Sequence, residues 1–373
     1  MENKVAVFGA SGFLGAALCE RLYFSGETPF VALIHNYGVA ARLARLPIDI
    51  QHADVLDGPR VEEVMRGCHS VVNCSRGSDS VMLKGLKNLI DGARKTGVKR
   101  FIHISSTAIY GQDPASDAHT EQGVPRPGDN EYARLKLRQD EMVLKMHREG
   151  IASLILCPGN IIGPYSQFVT EAAQELLSEQ VMLVDEGRYP TNLIHVDNLA
   201  HAIVTALRQD NGWGERYFIN EPEPTTWREW YTELARQLGV YCDFHTIERE
   251  KVLERLAPPP KTSASTLKIL VSGEFRKALS MLPWFARLNE IAYQRFHQMP
   301  TSLQSRIRER LERSIVIRKD QALNLRKQLI RVQVRKVFHS PARLMERLGY
   351  RPLLDPEERI RSLVEWLRFA RVA

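Results

Sequence analysis

The chain has 373 residues, 44% of them hydrophobic, enough for a large α/β core and a smaller second domain. Five cysteines, odd in number and without paired spacing, exclude a disulfide scaffold and point to a reducing compartment; none stands at metal-ligand spacing with histidine, so no metal site is expected. The net charge is +7, but residues 261–340 hold seventeen Lys and Arg against five Asp and Glu, so the excess is confined to one segment and the remainder is acidic.

Met1 is followed almost at once by an apolar run, Lys4–Phe8, which leaves no room for a signal peptide ahead of it and reads as a first strand. Phe13–Phe24 is predicted helical, with Leu14, Leu18 and Leu22 on one face. Between them runs Gly9-Ala10-Ser11-Gly12-Phe13-Leu14-Gly15. Glycines at a strand-to-helix turn permit a tight bend, bring backbone N–H groups up to a pyrophosphate and let helix pack close on strand. The helix N-terminus adds partial positive charge. Any βα turn favours glycine, so the dinucleotide reading depends on the strand and helix that flank it.

Phe30–Ile34 is the second strand and ends in His35-Asn36; Ile48–Gln51 and Ser70–Asn73 supply the third and fourth. Lys99–Ser105 reads as a buried parallel strand emptying into Ser105-Ser106-Thr107. Ligands of open α/β sheets gather at that end, where a hydroxyl can meet a substrate oxygen, although such residues also satisfy loop backbone. Ser106 is the preferred candidate. Glu131–Arg148 is predicted helical and carries Tyr132 and Lys136 on one face. A free phenol, with a pKa of about 10, needs a shift of about three units to act as a base near neutrality. An ammonium one turn away, with a positive nicotinamide ring, acts in that direction. Of eleven tyrosines only Tyr132 has Lys four residues on, which argues against surface coincidence.

Strand and helix alternate to about residue 157, as a doubly wound parallel sheet requires. Beyond it, Asp185–Tyr189 reads as a turn, Tyr217–Asn220 as a strand, Trp227–Leu238 as a helix opening at Thr225-Thr226, and Pro356–Arg371 as a terminal helix. The uncharged stretch 150–170 contains prolines and glycines and reads as core, not as a membrane span.

With these residues in view, the chain resembles the extended short-chain dehydrogenase/reductases, the NAD-dependent epimerase/dehydratase group. Ser105–Gly111 is similar to the family's serine-rich segment ending in Tyr-Gly, whose catalytic position falls on Ser106. Ala53–Asp57 resembles its adenine-side loop, with Asp54 at the adenine and Val55 beside it. Leu156–Pro164, including Pro158, Gly159 and Asn160, resembles the segment lining nicotinamide and substrate. Asn192–Asn198 resembles the strand that returns to the core sheet, and His339–Gly349 the closing helix of the second lobe. The resemblance implies a Rossmann-type sheet with a smaller C-terminal substrate lobe and an NAD or NADP cofactor. In it Tyr132 exchanges a proton, Lys136 holds the ribose and lowers the phenol pKa, and Ser106 orients the substrate oxygen. Gly9, Ser11, Gly12, Phe13, Leu14, Gly15, His35, Asp54, Val55, Cys74, Ser75, Arg76, Pro158, Gly159 and Asn160 then join Tyr132 and Lys136 around the cofactor.

Four positions depart from that pattern. His35-Asn36 stands where an NAD site usually has Asp or Glu, which tilts the expectation to NADP, with Arg42 or His35 meeting the 2′-phosphate. Asn73-Cys74-Ser75-Arg76 replaces small apolar residues and puts Arg76 near the cofactor phosphates or the substrate. Met82 stands where Asn is usual and Cys157 where Arg is common, which leaves epimerisation, dehydration and net redox open.

The expected organisation is a core over 1–160 with 191–210 returning to it, a substrate lobe from 161–190, 211–260 and 338–373, and a basic helical insertion over 261–337. Trp284 and Phe285 beside the arginines of that insertion fit contact with an anionic membrane, or else a lid or oligomer interface; nucleic acid is disfavoured. A homodimer stays open. The layout is similar to that of the 3β-hydroxysteroid dehydrogenase branch. The expected function is that of an oxidoreductase, epimerase or dehydratase acting on a hydroxyl or ketone of a sugar nucleotide or related glycan precursor. A reductase of a lipid-like alcohol at a membrane surface, or a silent cofactor-binding scaffold, is the alternative. The expected location is cytoplasmic, with peripheral contact at the inner face of a membrane.

Overall fold

The computed structural model describes residues 3–256 and 327–373. The chain divides into two units, Met1–Val252 with Gln328–Ala373, and Leu253–Lys327. The expected basic insertion lies outside the described residues as far as 326.

The described strands are β1 (Val5–Phe8), β2 (Phe30–Ile34), β3 (Ile50–His52), β4 (Ser70–Asn73), β5 (Arg100–Ile104), β6 (Ala152–Pro158), β7 (Asn160–Ile162), β8 (Met182–Val184), β9 (Leu193–His195), β10 (Arg216–Ile219) and β11 (His245–Ile247). Seven of them form one parallel sheet in the order β10-β6-β5-β4-β1-β2-β3. The helices are α1 (Phe13–Ser25), α2 (Ala41–Ala44), α3 (Gly58–Met65), α4 (Leu86–Thr96), α5 (Glu131–Arg148) and α6 (Gln167–Leu177). They continue with α7 (Val196–Leu207), α8 (Trp227–Leu238), α9 (Arg249–Leu256), α10 (Lys327–Gln333), α11 (Ala342–Leu348) and α12 (Pro356–Phe369).

Helices cover both faces, so the central strands β1, β4 and β5 are buried along almost their whole length. Alternation along β1 sends Val5 and Val7 into one core with Leu18, Leu22, Leu199 and Ile203 of α1 and α7. It sends Ala6 and Phe8 into the other, with Val61, Leu89 and Val143 of α3, α4 and α5. Strand order reverses between β1 and β4, and a crevice opens there at the carboxyl ends.

The expected return of Asn192–Asn198 to the central sheet is corrected. β9 pairs with β7 in a separate two-stranded sheet, and β10 is the strand that extends the main sheet beyond β6. α7, which follows β9, packs on α1, and Ile194 of β9 is buried in the same core without joining the main sheet. A three-residue apolar run carries no record of which strand it will pair with. In the smaller lobe β8 pairs with β11, and Phe168, Trp227 and Trp230 pack ring against ring at about 6 Å. Helix α8 opens with a capping box of Thr226 and Glu229, and α12 with one of Asp355 and Glu358. No helix among the described residues is long and apolar enough to cross a membrane.

The turn between β1 and α1 is glycine for steric reasons. Gly9 sits at φ +74, and a Cβ on Gly15 would stand 2.1 Å from the Gly9 carbonyl oxygen. Gly15→Ala is therefore expected to force α1 off the turn and cost about 1–3 kcal/mol. Urea denaturation checks it: the midpoint should fall with the slope unchanged, and an unaltered midpoint refutes the packing argument.

Candidate active site

The crevice is a cavity of about 830 Å³ at the carboxyl ends of β1, β4, β5 and β6. Every residue expected at the site lines it except Gly15, which is buried inside α1 and serves close packing instead. Arg42, the alternative to His35 at a 2′-phosphate, does not line it either: its Nε donates to Glu20 Oε1 at 2.9 Å and its guanidinium lies 4.8 Å from the Tyr165 ring. His35 does.

Helix α5 delivers Tyr132 and Lys136. The Asn130 side chain caps it by accepting from Ala133 N, and Asn130 itself lines the cavity. Lys136 is 3% exposed and its Nζ donates to the Ile104 carbonyl at 2.7 Å, which ties the helix to the end of β5. Ser106, two residues beyond, caps a short 3₁₀ turn by accepting from Ala108 N at 3.2 Å. Burial pushes the Tyr132 phenol up; the nearby Arg76 guanidinium and a hydrogen bond with Ser106 pull it back. Arg76 stacks over the Tyr132 ring at 4.9 Å. Burial also lowers Lys136 to about 8, against the attraction of Asp140 one turn further on. Asp140 is fully buried and accepts from Arg216 Nε of β10 at 2.9 Å. His103 is held neutral by burial and by Lys136, so its Nδ1 can accept from the Asn73 side chain, 3.2 Å away.

The residues fit a dinucleotide. Gly12 caps α1 without a side-chain hydrogen bond, and no acidic side chain lies in the first turn, so the helix end is open to a pyrophosphate. The Asp54 carboxylate is steadied by Leu56 N at 2.9 Å beside Ala53 and Val55. No carboxylate follows β2: His35 and Asn36 hold that corner. A Cβ on Gly159 would stand 2.1 Å from Asn192 O, so the chain after β6 has no freedom to retreat from the cavity.

Two residues escaped the sequence reading, Arg331 and Arg335. They lie nearly two hundred residues beyond Tyr132, in the last turns of the basic segment, and both line the cavity. The one available signal was their closeness to the Leu348-Gly349-Tyr350 turn. The segment carrying them is strapped down: Arg331 Nε donates to Gln112 Oε1 at 3.1 Å, and Gln333 Oε1 accepts from Val184 N at 3.0 Å. Further along, Arg249 Nε donates to Val334 O at 2.8 Å, and Asn220 Nδ2 donates to His339 O at 2.8 Å. Arg335 is 8% exposed, burial lowers it to about 10, and its Nε has no hydrogen-bond partner among the described residues. A buried guanidinium without an acceptor is costly, and an anion in the cavity removes the cost.

A parallel sheet opened at its switch point, with a glycine turn at one end of the crevice and a serine, tyrosine and lysine at the other, defines a Rossmann-type dinucleotide-binding protein. The profile of the NAD dependent epimerase/dehydratase family matches residues 5–219, and the chain belongs to that family. It is accordingly an enzyme of the NAD- or NADP-dependent kind. Among curated relatives it is 24% identical over 296 residues to 4-hydroxy-2-methyl-3-oxo-4-farnesyl-3,4-dihydroquinoline-1-oxide ketoreductase of Stigmatella aurantiaca, covering 72% of this chain and 86% of that one. To 3beta-hydroxysteroid-dehydrogenase/decarboxylase isoform 2 of Arabidopsis thaliana it is 25% identical, over 50% of this chain and only 37% of the relative. The fold is shared with UDP-glucose 4-epimerase of Thermotoga maritima, solved with UDP-glucose (TM-score 0.66, 17% identity, 99% of each chain). It is shared also with RMD of Pseudomonas aeruginosa, solved with NADPH (TM-score 0.63, 18% identity, 99% of each chain).

The buried ammonium has a consequence for stability. The folded chain releases the Lys136 proton at about 8 and the unfolded chain near 10.5, so in that window unfolding takes up a proton and stability rises with pH. Below it the full cost of burying the charge is present. The urea midpoint of wild type, taken relative to that of Lys136→Met, should rise between about pH 7 and about pH 10. Parallel profiles refute the assignment.

Proposed function

We propose that the enzyme oxidises or reduces a hydroxyl or ketone of a sugar nucleotide or related glycan precursor, with Tyr132 as its acid–base group. The observation that carries this reading is the convergence of Ser106, Tyr132 and Lys136 on one cavity with the Gly9–Leu14 turn. In oxidation the alcohol proton passes to the Tyr132 oxygen; in reduction Tyr132 returns it. Ser106 orients the substrate oxygen, and Lys136, fixed by Ile104 O, keeps a positive charge beside the phenol and faces the cofactor ribose. The nicotinamide, when bound, accepts or supplies the hydride. Arg331 and Arg335 support a phosphorylated substrate, since an orphaned buried guanidinium matches a diphosphate. A lipid-like ketone is the second reading, favoured by the farnesylated quinoline ketoreductase among the relatives.

A screen over nucleotide sugars and lipid alcohols, read by nicotinamide fluorescence, separates the two. With the substrate found, Tyr132→Phe should bind cofactor as wild type does while kcat falls by about a hundredfold or more. Undiminished turnover refutes the proton path, and absence of cofactor binding by wild type refutes the whole reading.

We also read the His35 corner as accepting a 2′-phosphate. Installing a carboxylate by His35→Asp should weaken NADP by about tenfold or more and leave NAD unchanged or tighter, as measured by fluorescence titration. Tighter binding of NAD than of NADP by wild type overturns this.

A further inference from the structure

Arg76 is not used by the chemistry above; its side chain is exposed, but the turn that carries it is fixed. Asn73 Oδ1 accepts from Ser75 N at 3.0 Å and from Ser75 Oγ at 2.5 Å, while the Asn73 amide is fixed against buried His103. Behind the turn, Gly9 comes so close that a Cβ there would stand 2.8 Å from Cys74 C and Ser75 N. The turn has no slack. It presents a guanidinium 4.9 Å from the centre of the Tyr132 ring, on the cavity wall.

Arg76 has no hydrogen bond or ion pair among the described residues, and it faces a wall short of acids. Among the described residues the cavity lining holds Arg76, Lys136, Arg331 and Arg335 against a single carboxylate, Asp54, which lies after β3 beside Ala53 and Val55. The cofactor pyrophosphate already has the open end of α1. Arg76 lies instead beside the phenol that meets the reacting oxygen. Ligand atoms reached by both residues must be near neighbours in the ligand.

We propose that Arg76 determines specificity for a substrate that carries an anionic group, a carboxylate or a phosphate, on the reacting carbon or the carbon beside it. A guanidinium grips two oxygens of either group in parallel. This proposal rests on Tyr132 marking the reacting end of the cavity, as argued above. It concerns a different group from the one met by Arg331 and Arg335, because it is fixed by nearness to the reaction and not by the far wall.

The test is a binding measurement and needs no turnover. The full chain, saturated with the tighter-binding of NAD and NADP, is titrated calorimetrically with acetoacetate, with inorganic phosphate and with neutral methyl acetoacetate. At least one anion should bind about tenfold or more tightly than the ester. Acetoacetate ahead of phosphate assigns a carboxylate, and the reverse order a phosphate. Arg76→Gln should abolish the preference while cofactor affinity stays within about twofold, and Arg76→Lys should restore part of it. Tyr132→Phe should keep the preference, so failure of the proton path stays distinguishable from failure of this proposal. The inference is overturned if wild type shows no anion preference or if Arg76→Gln retains it. A tenfold weakening of cofactor in Arg76→Gln, which would make Arg76 a cofactor ligand, also overturns it.

Discussion

The site depends on one hydrogen bond made out of water, from the Lys136 ammonium to the carbonyl of Ile104. It joins the middle of α5 to the end of β5, and two other positions follow from it. Tyr132 is one helical turn before Lys136, and Ser106 is two residues after Ile104, so a single crosslink sets phenol and hydroxyl on the same crevice. The charge that makes this bond strong is itself destabilised by burial, as its lowered pKa records. Asp140, a turn further along α5, offsets part of that cost, and Arg216 in turn answers Asp140. The end of the crevice lined by Tyr132 and Lys136 is thus the visible part of a buried charge cluster running from helix to edge strand.

The opposite wall is made differently. Its cations come from a segment that leaves the first unit after Val252, returns at Gln328, and is then held by side chains from four separate places: Gln112, Arg249, Asn192 and Asn220. Such pinning leaves Arg335 buried with an unpaired Nε, a state a fold tolerates where a ligand completes it. One end of the cavity is ordered by a local turn of glycines, the other by distant chain brought back.

That contrast explains what could be read from the sequence. The glycine turn, the strand ending in Ser105-Ser106 and the Tyr132–Lys136 spacing are local patterns, and the central strands and α5 and α8 fall where the patterns put them. Pairing is not local. Nothing in Leu193-Ile194-His195 records that it will lie beside Asn160–Ile162, and nothing around Arg42 records Glu20 waiting on α1. Arg331 and Arg335 were legible as charge and illegible as site, because a basic run does not say which of its members will line a cavity. Arg76 was the reverse: its oddness was plain beside the glycine turn, and the stacking on Tyr132 needed coordinates.

The union of Asp140 and Arg216 has an implication for how the chain matures. The carboxylate is laid down in α5, while its counter-ion arrives only with the last strand of the central sheet, seventy-six positions later. A nascent polypeptide halted between them would have to enclose that anion with Lys136 but without its ion-pair partner on β10, or leave α5 undocked. The wall of the crevice that carries Tyr132 and Lys136 therefore gains its full support late in synthesis, when the sheet is closed at its far edge.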